Sequence, residues 1–467
     1  MYKNKNTELD TNTIKYTLLV VLVTISANSL ADKTPWRLSQ QPGFPGWLNI
    51  QLEHRSRYEV LDGQYRAQIN GMTANGGDQA LVFRTRVHAR IHLQSIRFGA
   101  ELMDSRIALA DSGSASGSKG LTTSIANPLE LLQAYVEIPL SDLLLNGSQT
   151  LVRAGRITMN VGSRRLVARN RYRNTINAFT GIDVRWQYRD QQLRFFYTLP
   201  IRRRVQGNIR NNRARLDVEH PDTRFWGLYY QQALLSKQDR IEFYLLTLDE
   251  DHTADANTRN RELYTFGSRI WRKPHSSAFD YQLETVFQTG RSRRSTASID
   301  TLQQTAYFHH AELGYSFAAP WSPRLMIQYD YASGDHNPHD NNNNRFDTLY
   351  GARRFDFGPT SSYGAVARSN INSPGLRLLL KPYHHVSTMF SLRGFWRAST
   401  NDAWTTSGIN GRSPYIGTQI ESRLRWDILP GNLRLETGFV HLFSGSLLKE
   451  ANKGNATYGY LQAALTF

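Results

Sequence analysis

The sequence contains no cysteine. That excludes disulfides, thiolate metal centres, cysteine nucleophiles and lipidation of an N-terminal cysteine. Beyond residue 31 no apolar run is long enough for a membrane-spanning helix. Acid is in short supply: 39 Asp and Glu stand against 56 Lys and Arg, a formal net charge of +17 over 467 residues. No obvious linker divides the chain, so one large domain is the reading. A mean hydropathy of -0.50 looks like that of a soluble protein. Strands whose apolar and polar residues alternate average to such a value even when one face lies in lipid.

What is present begins with a targeting pattern. Lys3, Lys5 and Lys15 precede an apolar core from Tyr16 to Ile25, and small residues close the segment at Ser29 and Ala31. The core has the length of a signal h-region and is short for a spanning helix. Residues 1–31 are therefore read as a cleaved signal peptide and 32–46 as a short periplasmic segment. Residues 47–467 are read as the folded domain. A buried helix or a short anchor is the alternative for the first segment.

From Trp47 onward the dominant signal is alternation with a period of two. Between Asn49 and Val60 one face reads Gln51, Glu53, Arg55, Arg57, Glu59, and the other Ile50, Leu52, His54, Ser56, Tyr58, Val60. Between Leu81 and Leu93, Arg84, Arg86, His88, Arg90 and His92 oppose Phe83, Thr85, Val87, Ala89, Ile91 and Leu93. A strand separates such sets and a helix mixes them. The pattern recurs to Phe467 in about eighteen segments, an even number as a bacterial barrel requires. Short connections such as Gln94-Ser95 and Leu429-Asn432 alternate with long ones such as 61–79, 105–128, 159–180 and 334–373. That parity fits short periplasmic turns and long extracellular loops. Trp47, Tyr58, Trp186, Tyr188, Trp271 and Trp426 sit near strand ends, as girdle aromatics would. A terminal Phe467 on an alternating strand fits the signal that barrel-assembly machinery reads. The fold class is all-β: a transmembrane barrel in the outer membrane of a Gram-negative bacterium, monomeric by default, with lipid around it.

The inward face is rich in arginine, with acids interspersed. So many charges must pair or hydrate, and the surplus of Arg attracts anions. Arg84, Arg86, Arg90, Arg156, Asp183, Arg185, Arg423 and Arg425 are expected to line the narrow part, with Glu53 and Arg55 beside them. A purely structural charge network is the alternative. The Arg residues point inward by parity rather than forming an exposed patch, which argues against nucleic acid. No Ser-His-Asp or paired-carboxylate spacing stands out, so transport is the reading and not catalysis. No cofactor is called for. The oxygen-rich stretch Asp335–Asp347 could hold Ca²⁺, although a solvated external loop accounts for it as well, and Asp111–Gly120 reads as a flexible loop.

Two stretches resemble a known family. The first is Val152-Arg-Ala-Gly-Arg-Ile-Thr-Met-Asn160, continuing through Arg165 and Arg169 to Phe179-Thr-Gly-Ile-Asp-Val-Arg185. The second is Tyr329-Asp-Tyr-Ala-Ser-Gly-Asp335 with Phe346–Gly351 and Asn370–Pro374. Together they resemble the alginate export family of outer-membrane porins over most of the chain. The resemblance implies an 18-stranded barrel that secretes the anionic polysaccharide alginate through an Arg/Lys-rich constriction. It carries over to Arg156, Asn160, Arg165, Arg169, Asp183, Arg185, Asp330 and Asp335. The family more often has Phe-Asp-Gly ahead of the Val-Arg, so one acid is displaced or replaced here. A channel for an anionic polysaccharide is thus expected. An uptake porin for small organic anions and a non-conducting structural barrel are the other readings.

Overall fold

A computed structural model describes residues 34–63, 65, 78–110, 124–204, 209–220, 222–234, 236, 238–253 and 257–467. The expected signal peptide, residues 1–31, and the Asp111–Gly120 stretch lie outside the described residues. Eighteen long strands carry the fold: β1 Leu48–Asp62, β2 Asp78–Leu93, β3 Ile96–Ala108, β4 Asn127–Ser141, β5 Gln149–Ile157, β6 Phe179–Tyr188, β7 Gln191–Arg202, β8 Thr223–Ala233, β9 Asp239–Glu250, β10 Glu262–Arg272, β11 Ala278–Arg293, β12 Thr301–Ser316, β13 Arg324–Ala332, β14 Ile371–Tyr383, β15 Val386–Trp396, β16 Tyr415–Leu429, β17 Leu433–Ser444 and β18 Ala456–Thr466. Each pairs antiparallel with its neighbour in sequence. β18 returns to β1, from Thr466 opposite Glu53 to Thr457 opposite Asp62. Leu52 and Phe467 exchange backbone hydrogen bonds of 3.0 and 2.9 Å at this seam. The sheet is closed, which leaves no long edge to be satisfied in lipid.

Every expected strand is present. The largest shift in boundary is the β11–β12 hairpin, expected at 279–289 and 306–317. The ladder continues through Ser292, Arg293, Thr301 and Gln303. These residues are polar on both faces, so the alternation fades beyond the apolar belt while the backbone pairing goes on. Leu38–Gln40 forms a short 3-10 turn ahead of β1. The segment before it is clasped to the last turn: Trp36 N donates to Asn432 Oδ1 at 2.7 Å, and the Trp36 ring meets Phe467 edge-on at 5.7 Å.

Alternation assigns the two faces as expected. In β1, Arg55, Arg57 and Glu59 are buried in the lumen, while Tyr58 and Val60 point outward. Outward leucines and phenylalanines such as Phe195, Leu228, Phe243, Phe266, Leu283 and Leu325 make the apolar belt. Trp271 departs from the girdle expectation. It shares the inward face with Arg269, and its indole N–H donates to Glu242 at 2.5 Å. Gly155 and Gly181 face each other across β5 and β6. Gly155 has φ +121, and a Cβ there would lie 2.3 Å from the Ala134 carbonyl oxygen. Only glycine lets the wall pass so close at this point.

Candidate functional site

Two of the long connections do not lie outside the barrel, as the sequence analysis expected of 159–180 and 334–373. Residues 158–178, between β5 and β6, and much of 333–370, between β13 and β14, fold into the lumen and are buried there. Val167 bridges Tyr350 in parallel. Tyr350 N donates to Leu166 O at 2.9 Å and Ala352 N to Arg164 O at 3.0 Å. Leu166, Val167, Phe346, Phe357, Tyr363, Val366 and Trp404 join inward wall aromatics in one apolar cluster inside the barrel. The lumen is therefore partly filled by its own loops. The physical reason is the wall itself. Inward Arg and Asn side chains offer donors that backbone carbonyls of a folded-in loop can satisfy, and no period in the sequence announces that.

The stretch Asp335–Asp347 is exposed from His336 to His339 and at Asn341 and Asn342, as a solvated loop would be, but its two ends are anchored inside. Asp335 and Asp347 are buried. Asp335 faces Arg294 at 3.3 Å, and Asp347 accepts from Arg261 at 2.9 Å as well as from Arg259. A Ca²⁺ ion would have to displace these guanidiniums.

Arg55 and Arg84 tie the first loop to the wall. Arg55 donates to the carbonyl of Arg171 at 2.9 Å, to that of Arg173 at 3.0 Å and to Asn174 Oδ1 at 3.0 Å. Arg84 donates to the carbonyls of Arg171 and Arg173 and, at 3.0 Å, to Glu53. Asn174 extends the tie, with its amide donating to Phe83 O at 2.9 Å and Ile125 O at 2.8 Å.

Below the loops lies a vestibule of about 630 Å³. Its wall reaches the short turn at Gly431-Asn432, and its floor is made by Arg164, Asn170, Tyr172, Arg354 and Phe355 of the inward loops. Five of the expected residues meet here: Glu53, Arg55, Arg84, Arg423 and Arg425. Arg425 pairs with Glu436 at 2.5 Å and Arg354 with Glu421 at 2.6 Å. Arg423 and Arg164 have no carboxylate partner among the described residues. Burial pushes the Arg164 guanidinium down, and Arg165, Arg269 and Arg171 add to this against the pull of Asp356. Asn170 is only 3% exposed, yet neither polar atom of its amide has a partner. A buried amide left open in this way costs free energy unless something polar reaches it.

The other expected residues stand apart from the vestibule lining. Arg86 links Glu53 to Glu101 at 2.5 Å. Arg90 donates to Asn49 near the short-turn rim at 3.1 Å. Arg156 pairs with Glu130 at 2.7 Å and Glu219 at 3.0 Å. Asp183 holds Arg194 at 2.6 Å and Arg185 at 2.7 Å in its own wall cluster. The expected set is thus divided among several stretches of wall. Of the residues carried by the resemblance, Asn160 lines the vestibule and accepts from Arg169 N at 2.9 Å, and Arg169 pairs with Glu101 at 2.6 Å. Arg165 pairs with Glu284 at 2.8 Å and Asp356 at 2.9 Å, and Asp330 bonds His310 at 2.8 Å.

Sequence reasoning missed Arg164, Asn170, Arg171, Tyr172, Arg354 and Arg377 because they were assigned to loops or given no role in the narrow part. One signal was available: the run Ser163–Arg173 holds five arginines in eleven residues, a density without purpose in a merely solvated loop. Further along the same loop, Arg173 is pushed down by burial and then by the guanidiniums of Arg353 and Arg203, a second place where cations face cations. His310, Asp330 and Asp356 bring ligand atoms within 4.8 Å of one another. Arg165, Arg368 and Arg393 already bond this group, so guanidinium charge fills the place a cation would take.

A family model described as alginate export matches residues 46–461. Among solved structures, the outer membrane protein OpdK of Pseudomonas aeruginosa superimposes with a TM-score of 0.56 at 10% identity, over 90% of this chain and 99% of that one. OccK9 (OpdG) of the same organism gives 0.57 at 12%, over 90% and 98%. OpdO gives 0.55 at 13%, over 90% and 97%. At such identity the likeness is one of fold. No curated protein sequence matches the chain.

Proposed function

The chain belongs to the alginate export family of outer-membrane channels, and from that premise we propose that it passes anions, with an anionic polysaccharide such as alginate as the exported solute. One observation carries this reading. The periplasm-facing vestibule is walled by arginines, and several of them, Arg164 and Arg423 among these, have no carboxylate of their own among the described residues. A guanidinium binds a carboxylate through two parallel hydrogen bonds. Successive arginines at a mouth therefore offer an entering polyanion a series of sites. Glu53, Glu421 and Glu436 hold part of the positive charge in check. That keeps each site weak enough for escape, which conduction needs as much as entry.

A second reading has an observation of its own. The inward loops fill much of the lumen, which suits solutes thinner than a polysaccharide. One neighbouring fold, OpdK, was crystallised with vanillate. Uptake of small organic anions is then the function, through the same arginines. In both readings the barrel is a lipid-embedded monomer inserted by the barrel-assembly machinery, and it acts as a channel rather than an enzyme.

The test is conductance of the refolded protein in a planar bilayer, with the reversal potential taken under a salt gradient and alginate oligomers added to the periplasmic side. Anion selectivity with block by the oligomers supports polysaccharide export. Anion selectivity indifferent to them supports small anions. A silent barrel leaves the non-conducting, structural reading.

A further inference from the structure

The tip of the second inward loop is a four-residue helix, α1, Arg354–Phe357. It places one carboxylate between two guanidiniums, while two more hold its backbone. Asp356 Oδ2 accepts from Arg165 Nε at 3.0 Å and from Arg368 Nη2 at 2.5 Å, and Oδ1 accepts from Arg165 Nη2 at 2.9 Å. The backbone carbonyl of Asp356 accepts from Arg393 at 2.7 Å and from Arg377 at 3.2 Å, and that of Phe355 from Arg377 at 2.7 Å. Arg165 comes from the first inward loop, Arg368 from the second, and Arg377 and Arg393 from the wall strands β14 and β15. One acid thus joins both loops to the barrel.

The four arginines differ in what else they hold. Arg165 also has Glu284, and Arg393 has Asp330. Arg368, 1% exposed, has Asp356 as its only carboxylate among the described residues. Its other Nη donations go to the carbonyls of Arg165 and Ala352. Arg377 has no carboxylate partner and lines the vestibule. The cradle therefore adjoins the vestibule through Arg377 and Arg354, and its occupant is an anion supplied by the chain.

Resting on the reading that this is an anion channel, we propose that Asp356 is a built-in competitor. Its carboxylate occupies a carboxylate-binding cradle of Arg165 and Arg368, with Arg377 and Arg393 holding the backbone of the same turn, and keeps the inward loops closed until a carboxylate of the permeant takes its place. The exchange swaps one guanidinium-bound carboxylate for another, so no buried cation is left bare. That makes it accessible where simple rupture of the same contacts is costly. The ligand class is a carboxylate, and the exchange opens the path above the vestibule.

The experiment compares wild type, Asp356→Asn and Arg368→Gln in planar bilayers, each shown to be a folded barrel by heat-modifiable gel migration. Asparagine keeps the size and loses the charge, so the closed-to-open ratio should fall by about a hundredfold or more in that variant. Sodium glucuronate exchanged for chloride at fixed ionic strength should raise the open fraction of wild type and leave Asp356→Asn unchanged. Arg368→Gln should open the channel and blunt the response. Should Asp356→Asn not fold, replacement of 353–359 by a Gly-Ser segment of equal length makes the same test, with the open state expected. Equal gating by wild type and variants overturns the latch while leaving the channel. Silence in all of them overturns the channel reading, and the latch with it.

Discussion

Arg84, on the barrel wall, donates from one nitrogen to the carbonyl oxygens of both Arg171 and Arg173, at 2.9 and 3.0 Å. A wall side chain here grips the backbone of a loop. Arg84→Ala should release that grip and leave Glu53 with fewer partners, at a cost of about 3–5 kcal/mol for a broken buried pair. Arg84→Lys should recover little, because an ammonium does not reproduce the fork. Unfolding midpoints in detergent micelles measure both. A midpoint for Arg84→Lys equal to wild type would show that the charge alone matters.

Arg164 and Arg423 contribute charge without an ion-pair partner. Arg164→Gln with Arg423→Gln strands no acid, so stability should change by less than about 1 kcal/mol. The reversal potential under a salt gradient should move toward zero. An unmoved reversal potential would place the selectivity elsewhere in the lumen.

Asp356 gives the closed state a pH limit. Burial pushes its carboxyl up, but Arg165 and Arg368 outweigh this and hold it well below the usual carboxylate range. Its folded value is depressed, so the stabilisation is complete above the unfolded value of about 3.9 and fades as pH falls below that. Of its buried neighbours, His310 faces Arg165 and Asp330 faces Arg393. The closed fraction attributable to this acid should hold from neutral pH down to about 4 and decline below it. Recordings across that range test the window, and a transition near neutrality would assign the gate to another group.

Gly155→Ala puts a side chain at φ +121 against the Ala134 carbonyl. Strain of this kind costs about 1–3 kcal/mol before the clash is counted. The yield of heat-modifiable barrel on refolding should drop sharply, whereas Gly454→Ala, with open space around it, should refold as wild type does.

The strands were legible because lipid on one side and charge on the other force a period of two. β10 was located to the residue at Glu262–Arg272. The inward sense of Glu53, Arg55 and Arg84 was legible for the same reason. The floor of the vestibule was not. Asn170 and Tyr172 lie in irregular backbone, and their place depends on bonds from Arg55 and Arg57 to carbonyl oxygens, groups that every residue carries and no sequence marks. Asp356 was hidden for a different reason: Arg-Phe-Asp-Phe has no pattern until the partners at Arg165 and Arg393 are brought around it from far along the chain.

The apolar cluster of loop and wall residues inside the barrel bears on how the molecule is made. Leu166, Phe346 and Trp404 are enclosed by strands whose ring is completed only when β18 meets β1. The same cluster takes Leu61 from β1 and Tyr458 from β18, so the packing of the loops after β5, β13 and β15 is complete only when both sides of the seam are in place. Long-range pairing is intrinsically slow, so the finished interior waits on the same step that closes the ring.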